Sequence, residues 1–376
     1  MTAHVPTLTA TAGARLAPGV YFNLPDHRYH ADPALGSGDI RDLKTCAMYY
    51  WQHSAMNPLR DADSDTPDLL FGRALHKIVL EGRAAFEQTY AVTPSAADFP
   101  GALDTAADLT RELKALKDAG APIARTTGKK EDLVALLKAA KPDAVILDEV
   151  LAKHAADCAQ RGAVTLKREV YERVIAAAAH IAGNPRIAAA FQAGRPEVTV
   201  IWELDGVPCK ARLDYIRLGK PASGRLTAAV TDLKSFSNSR GIAPERAIAL
   251  AVAEYRLDMQ AAHYMDGLRR LPAMIKAGQV TGAEGIDPRW LQALASLEAD
   301  DFLFYWAFFQ KDAPGVTMLR QAAPRLIKTG LRDVQSAYQT YRDNLAAFGT
   351  NWRFVDPMAD ASLDVGDMPR WLADAA

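Results

Sequence analysis

Residues 198–216 read VTVIWELDGVPCKARLDYI. Two runs rich in β-branched and aromatic residues flank Asp205-Gly206, a dipeptide that accepts the positive φ angles of a tight hairpin turn. A longer turn, LGKPASG over 218–224, leads into RLTAAVTDLKSF over 225–236. Together the three runs predict an antiparallel three-stranded meander. Helical patterns surround it. GDIRDLKTCAMYYWQHS (after Ser37), LLFGRALHKIVLEG and REVYERVIAAAAHIAGNP precede it, the last stopped by Gly183, Asn184 and Pro185. A helix, PERAIALAVAEYRLDMQAAHYMDGLRR, follows it. Then come a strand pair, DFLFYWAFFQ and VTMLRQ, and a closing helix, PRLIKTGLRDVQSAYQTYRDNLAAF. This order predicts a mixed α/β (α+β) fold, a central mixed sheet with the antiparallel meander flanked by helices.

The chain of 376 residues is 49% hydrophobic and 24% charged, with a net charge of −1, the balance of a water-soluble globular protein. No global basic field marks it for nucleic acid, so any DNA must be met by a local groove. Three widely spaced cysteines, Cys46, Cys158 and Cys209, argue against a disulfide framework and suit a reducing cytoplasm. The N-terminal residues show no signal-peptide pattern, and no apolar run approaches the ~20 residues that span a bilayer. Residues 1–20 read as a loose arm and 356–376 as a tail. Residues 91–165, rich in Ala, Lys and Asp, read as an inserted helical module, leaving 21–90 and 166–355 as the core.

The third strand of the meander carries Asp232 and Lys234 two residues apart. Alternation along a strand places both on one face, near where Ser and Asn end the strand. Asp214 lies on the neighbouring strand, so two carboxylates converge at one sheet edge. Adjacent like charges are costly unless a cation lies between them, and hard oxygen ligands suit Mg²⁺, or equally Mn²⁺. Two acids with a lysine form a toolkit for metal-assisted phosphodiester hydrolysis. The plainer reading of Asp214 is a salt bridge to Arg212 or Arg217. The D-L-K triplet also occurs at Asp42–Lys44, on an amphipathic helix where a solvated pair is the natural reading. His76 stands one helical turn after Gly72, beside the apolar stripe of Phe71, Leu75, Ile78 and Val79. Gln260 and Tyr264, i and i+4 on the helix after the motif strand, read either as a polar stripe or as donors to a phosphate.

Taken in order, GRALH, PEVTVIWELDGVPCKARLDY, VTDLKS and YRLDMQAAHYMDG resemble the PD-(D/E)XK nuclease superfamily, whose core is restriction-endonuclease-like. More narrowly the chain resembles the RecE-type exonucleases (exodeoxyribonuclease VIII) of phages and prophages, over roughly residues 20–355. YHADPALGSGDIRDLKTCAMYYWQ is similar to that branch's opening. The resemblance implies that His76, Asp214, Asp232 and the main-chain carbonyl of Leu233 hold the metal and that Lys234 is the catalytic lysine. It implies that Gln260 and Tyr264 form a Q-x-x-x-Y helix, and it matches Glu197 to a further acid. It implies digestion of linear double-stranded DNA from the 5′ end, leaving a 3′ strand for a RecT-like annealing partner, and a ring-shaped homo-oligomer. Cys46 lies where RecB-like cousins carry an iron–sulfur ligand, but no clustered C-terminal cysteines complete a cluster, so none is expected. The insert resembles small helix-extended-helix DNA-binding modules, with TTGKKEDL as the turn; a solvated helical insertion is the other reading. The competing functions are a catalytically inactive DNA-binding scaffold and a RecB-like single-strand or structure-specific nuclease.

Overall fold

The computed structural model describes residues 15–57, 59–60, 66–220, 224–349 and 364–367. The chain forms two compact units, one from Met1–Ser64 with Ile181–Ala376 and one from Asp65–His180. The first segment supplies β1 (Gly19–Tyr21), α1 (Asp26–Ala31), α2 (Ser37–Thr45) and α3 (Ala47–His53). Val20, read from sequence as part of a loose arm, is instead fully buried in β1, because its backbone pairs with two other strands. The expected tail, 356–376, lies outside the described residues apart from 364–367.

The Asp65–His180 unit contains α4 (Pro67–Thr89), β2 (Tyr90–Val92), α5 (Ala106–Asp118), α6 (Lys130–Ala140), α7 (Leu147–Arg161) and β3 (Val164–Leu166). Most of α8 (Arg168–Ala182) completes it. Its borders fall outside 91 and 165 for a physical reason: the flanking helices pack on each other. Arg173 lies over the Phe71 ring, Tyr171 stacks against Phe86, and β2 pairs in parallel with β3. Within it, Leu109 and Leu113 of α5 close on Leu133 and Leu137 of α6 as a small separate core. A parallel bridge between Leu103 and Ile146 ties off that helical pair.

The remainder of the chain builds the larger unit. It supplies α9 (Pro185–Ala190), β4 (Gly194–Leu204), β5 (Val207–Gly219), β6 (Thr227–Phe236), α10 (Pro244–Glu254) and α11 (Leu257–Lys276). It continues through β7 (Val280–Thr281), α12 (Pro288–Ala295), β8 (Phe302–Gln310), β9 (Thr317–Gln321) and α13 (Pro324–Phe348). The meander β4-β5-β6 forms as the Asp205-Gly206 turn predicts, with both turn residues at positive φ. It is the centre of a seven-stranded mixed sheet ordered β7-β1-β4-β5-β6-β8-β9. β6 and β8 are parallel, which obliges a crossover, and α10 and α11 provide it. The fold is mixed α/β, a large mixed sheet flanked by helices.

Helix α11 is buried along most of its length, polar Asp258, Gln260 and His263 included. Two glycines permit this. A Cβ on Gly267 would lie 2.7 Å from the ring of Trp202, and one on Gly330 of α13 only 2.2 Å from the carbonyl oxygen of Asp258. Trp202 and α13 can therefore close on α11 from two directions. Among the described residues, no helix is long and apolar enough to cross a membrane.

Candidate active site

Tyr215 pairs with Thr231, and the β5-β6 ladder ends there. Continuing the register by one residue sets Asp214 opposite Asp232, at the point where the two strands part. The Asp214 carboxylate reaches across the parting and accepts a 2.8 Å hydrogen bond from the backbone N–H of Leu233. A strand residue directs its N–H and C=O toward the same neighbour, so the Leu233 carbonyl faces the opening as well. The other ends of these strands, Gly219 and Thr227, lie five residues from either aspartate; of the long connection between them, residues 221–223 lie outside the described residues.

Asp232 is almost wholly buried, at 1% exposure. Gln260 Nε2 donates to its Oδ1 at 2.9 Å, and Lys234 Nζ lies 2.5 Å from its Oδ2. The same-face reading of Asp232 and Lys234 is thus realised as an ion pair. Burial works against the Lys234 charge, but the Asp232 and Asp214 carboxylates outweigh it and hold the ammonium above its ordinary value. The crossover explains Gln260: a helix that carries the chain from β6 to β8 must lie back over β6. Tyr264, one turn further along, is also buried. Burial first, then Asp232 and Asp214, push its phenol well above the usual range, while contacts with Gln260 and Ser37 pull the other way.

Glu197 joins this row. Pro196 pairs with Tyr215 and Val198 with Leu213, so Glu197 stands opposite Asp214, although the ladder is interrupted at that pair. Its backbone is left-handed, φ 53°, a conformation that costs a non-glycine residue of order 1–3 kcal/mol and collects at functional sites. Glu197, Asp214 and Asp232 therefore occupy successive positions across β4, β5 and β6. Glu197 Oε2 is 3.6 Å from Arg212 Nε. Arg212 also pairs with Asp26, donates to the Leu24 carbonyl, and lies 4.3 Å over the Tyr29 ring.

Several neighbours escape a reading by motif. Lys210, Arg212 and Asp214 alternate along β5 and so share one face, a signal that simple period-two counting contains. Lys210 is buried and donates to the carbonyls of Asp32 at 2.7 Å and Tyr29 at 3.0 Å; burial holds its ammonium below its ordinary value. Ser37, which opens α2, reaches Tyr264. Ser37 and Lys210 also line a polar cavity of about 320 Å³ that includes Asp39, Arg60 and His53. No local pattern announces Ser37, since its place depends on a pairing distant in sequence. The other D-L-K triplet behaves as the solvated reading has it: Asp42 meets His53, and Lys44 meets Asp333.

His76 belongs to the Asp65–His180 unit. Its Nδ1 lies 2.8 Å from the Gly72 carbonyl of its own helix, so Nδ1 carries a proton and donates it there. Among the described residues, no group of three His, Cys, Asp or Glu side chains is gathered closely enough to hold a metal ion. The two aspartates still fit a Mg²⁺ ion, which is commonly held by one or two carboxylates with water and substrate phosphate completing its shell. The adjoining carboxylates with a lysine drawn against them are the donor set such an ion neutralises.

No family model and no curated protein matches the chain. A solved structure described as a "Putative exonuclease" from Eubacterium rectale aligns over 91% of this chain and 95% of its own. The identity is 12% and the TM-score 0.48, too low for that likeness to bear on function.

Proposed function

We propose that the chain is a metal-dependent deoxyribonuclease that hydrolyses phosphodiester bonds from the ends of linear double-stranded DNA. One observation carries the reading: Asp214 and Asp232 stand opposite each other where β5 and β6 part, with Lys234 drawn against Asp232. Asp214, Asp232 and the Leu233 carbonyl would hold a Mg²⁺ or Mn²⁺ ion. The resemblance adds His76, whose part rests on sequence alone. A bound divalent ion supplies charge neutralisation at the phosphate and activation of water.

The chain's own residues do the rest. Gln260 fixes Asp232 through Oδ1, so the carboxylate cannot rotate away when DNA arrives. Lys234, kept protonated by its two carboxylates, orients the attacking water or a non-bridging phosphate oxygen by donating hydrogen bonds. Tyr264 stays protonated and so remains a donor. Glu197 fixes Arg212, a cation beside the row of acids. The finer features follow the sequence resemblance: 5′ to 3′ polarity, a ring-shaped homo-oligomer, and delivery of 3′ strands to a RecT-like annealing protein.

The test is digestion of end-labelled linear duplex in Mg²⁺ or EDTA, comparing the native chain with Asp232→Asn and including a covalently closed circle. Shortening that requires both metal and Asp232, with the circle spared, is the expected result. No cleavage by a folded, DNA-binding chain refutes the nuclease reading, and a cut circle refutes the end-dependent one.

A further inference from the structure

The sheet has a second side. Alternation sends Asp232 and Lys234 to one face of β6, and Thr227, Ala229 and Thr231 to the other. On that reverse face Arg217 of β5 pairs with Ala229, and Ala229 with Leu303 of β8; Thr231 stands beside Tyr305. These residues line a cavity of about 330 Å³ together with Lys220, Ala190 and Leu319. It lies behind the candidate active site, within the larger unit, and uses none of that site's residues.

Its chemistry is lopsided. Two cations, Arg217 and Lys220, line it, and among the described residues no carboxylate does. Arg217 is half-buried, and its Nε, shielded from solvent, has no hydrogen-bond acceptor among the described residues. Arg212, on the same strand and the opposite face, has Asp26 and Glu197 as counter-charges. A shielded guanidinium donor without an acceptor is expensive, and in a native protein it calls for a missing partner. Thr227, whose hydroxyl donates to the Gly219 carbonyl, and Thr231 line it as well, whereas Leu303, Leu319 and Ala190 provide an apolar wall beside the Tyr305 ring. The volume is at the small end of ligand sites.

We infer that this reverse-face cavity binds a small phosphate monoester, its dianionic head on Arg217 and Lys220 and a compact body that lays a flat ring against Leu303, Leu319 and Tyr305. The guanidinium fork matches phosphate oxygens, and two cations without an acid suit a double charge. Nucleoside monophosphates are the class of that size and shape. The inference does not depend on the nuclease reading.

The test is isothermal titration of the full chain in EDTA with thymidine 5′-monophosphate, thymidine, inorganic phosphate, and a short 5′-phosphorylated oligonucleotide. The monophosphate should bind one-to-one, with thymidine and inorganic phosphate weaker by about tenfold or more. Arg217→Gln should weaken monophosphate binding by about tenfold or more, the value of a charge-assisted contact. Lys220→Ala, at an exposed position that folding does not need, should weaken it about threefold. Asp232→Asn should leave it unchanged. Oligonucleotide binding that ignores Arg217 identifies the free monoester, not a DNA end, as the ligand. The inference is overturned by no binding, by binding indifferent to both Arg217→Gln and Lys220→Ala, or by binding lost only in Asp232→Asn. Equal binding of inorganic phosphate or of thymidine overturns the assigned ligand class, and Arg217-sensitive oligonucleotide binding overturns the free-ligand source.

Discussion

Replacing Gly330 with alanine tests how α11, the helix of the candidate site, is held. The new Cβ would lie 2.2 Å from the Asp258 carbonyl oxygen, 2.4 Å from its carbon and 2.8 Å from the Met259 nitrogen. All three are backbone atoms of α11, so no side chain can swing aside. Ordinary contact begins near 3.4 Å, and α13 must therefore withdraw from α11 by about an ångström. That loosens the packing of Val334, Ala337 and Tyr338, which α13 buries. Overpacking of this kind costs roughly 1–3 kcal/mol, and the rigid backbone puts it at the upper end. Alanine returns about 1 kcal/mol in helix propensity. The expected net loss is about 2 kcal/mol. No tryptophan falls within residues 65–180, and Trp51, Trp202, Trp290 and Trp306 belong to the larger unit, so fluorescence follows that unit during urea or thermal unfolding. The midpoint should fall by about 4–8 °C. Gly38→Ala, in α2 with nothing within 4 Å of the added carbon, is the control and should be neutral or mildly stabilising. If Gly330→Ala behaves like the control, the close approach of these helices is wrong. DNA cleavage, on the reading above, should fall with stability, because α11 presents Gln260 to Asp232.

Gln260→Leu removes the donor to Asp232 Oδ1 and should cut activity by about 10–100-fold while raising the Mg²⁺ concentration needed for half-maximal cleavage. An unchanged metal titration would exclude this positioning role. His263 is held neutral in the core, its Nε2 donating to the Lys210 carbonyl and its Nδ1 accepting from Tyr338, and burial lowers its pKa from 6.5 to about 4. Its contribution is fully present above the unfolded value. It drains as pH falls from about 6.5 to 4, because only the unfolded chain takes up the proton, a loss of roughly 3 kcal/mol. His263→Gln, less stable near neutrality, should lose correspondingly less across that window in urea unfolding followed by tryptophan fluorescence; parallel pH profiles would contradict the buried neutral ring.

What could be read from sequence was local. Asp205-Gly206 announced its hairpin because a two-residue turn needs residues that accept positive φ, and the spacing of Asp232 and Lys234 fixed their common face by alternation alone. β1 and β7, three and two residues long, carry no periodicity of their own and exist only because each pairs with the other and β1 with β4. The units divide at Asp65 and His180 because Phe71 meets Arg173 and Phe86 meets Tyr171, pairings about a hundred residues apart in the chain. The left-handed backbone at Glu197 was equally hidden, since glutamate has no preference for it.

The hydrogen bond from Leu233 to Asp214 makes that carboxylate a stop as well as a candidate ligand. Two antiparallel strands, left to themselves, continue to zip, and each further rung would narrow the opening between β5 and β6. Here a side chain takes the N–H that the next rung would use. Asp214→Ala would therefore remove more than a charge: it would leave the Leu233 donor seeking an acceptor, and the nearest supply is the neighbouring strand. A variant made to silence the site chemically should also draw its opening shut, so its DNA affinity need not equal that of the native chain. Asp214→Asn, whose amide oxygen can still accept from Leu233, should keep the strands apart and, on the proposed function, serve as the cleaner inactive form.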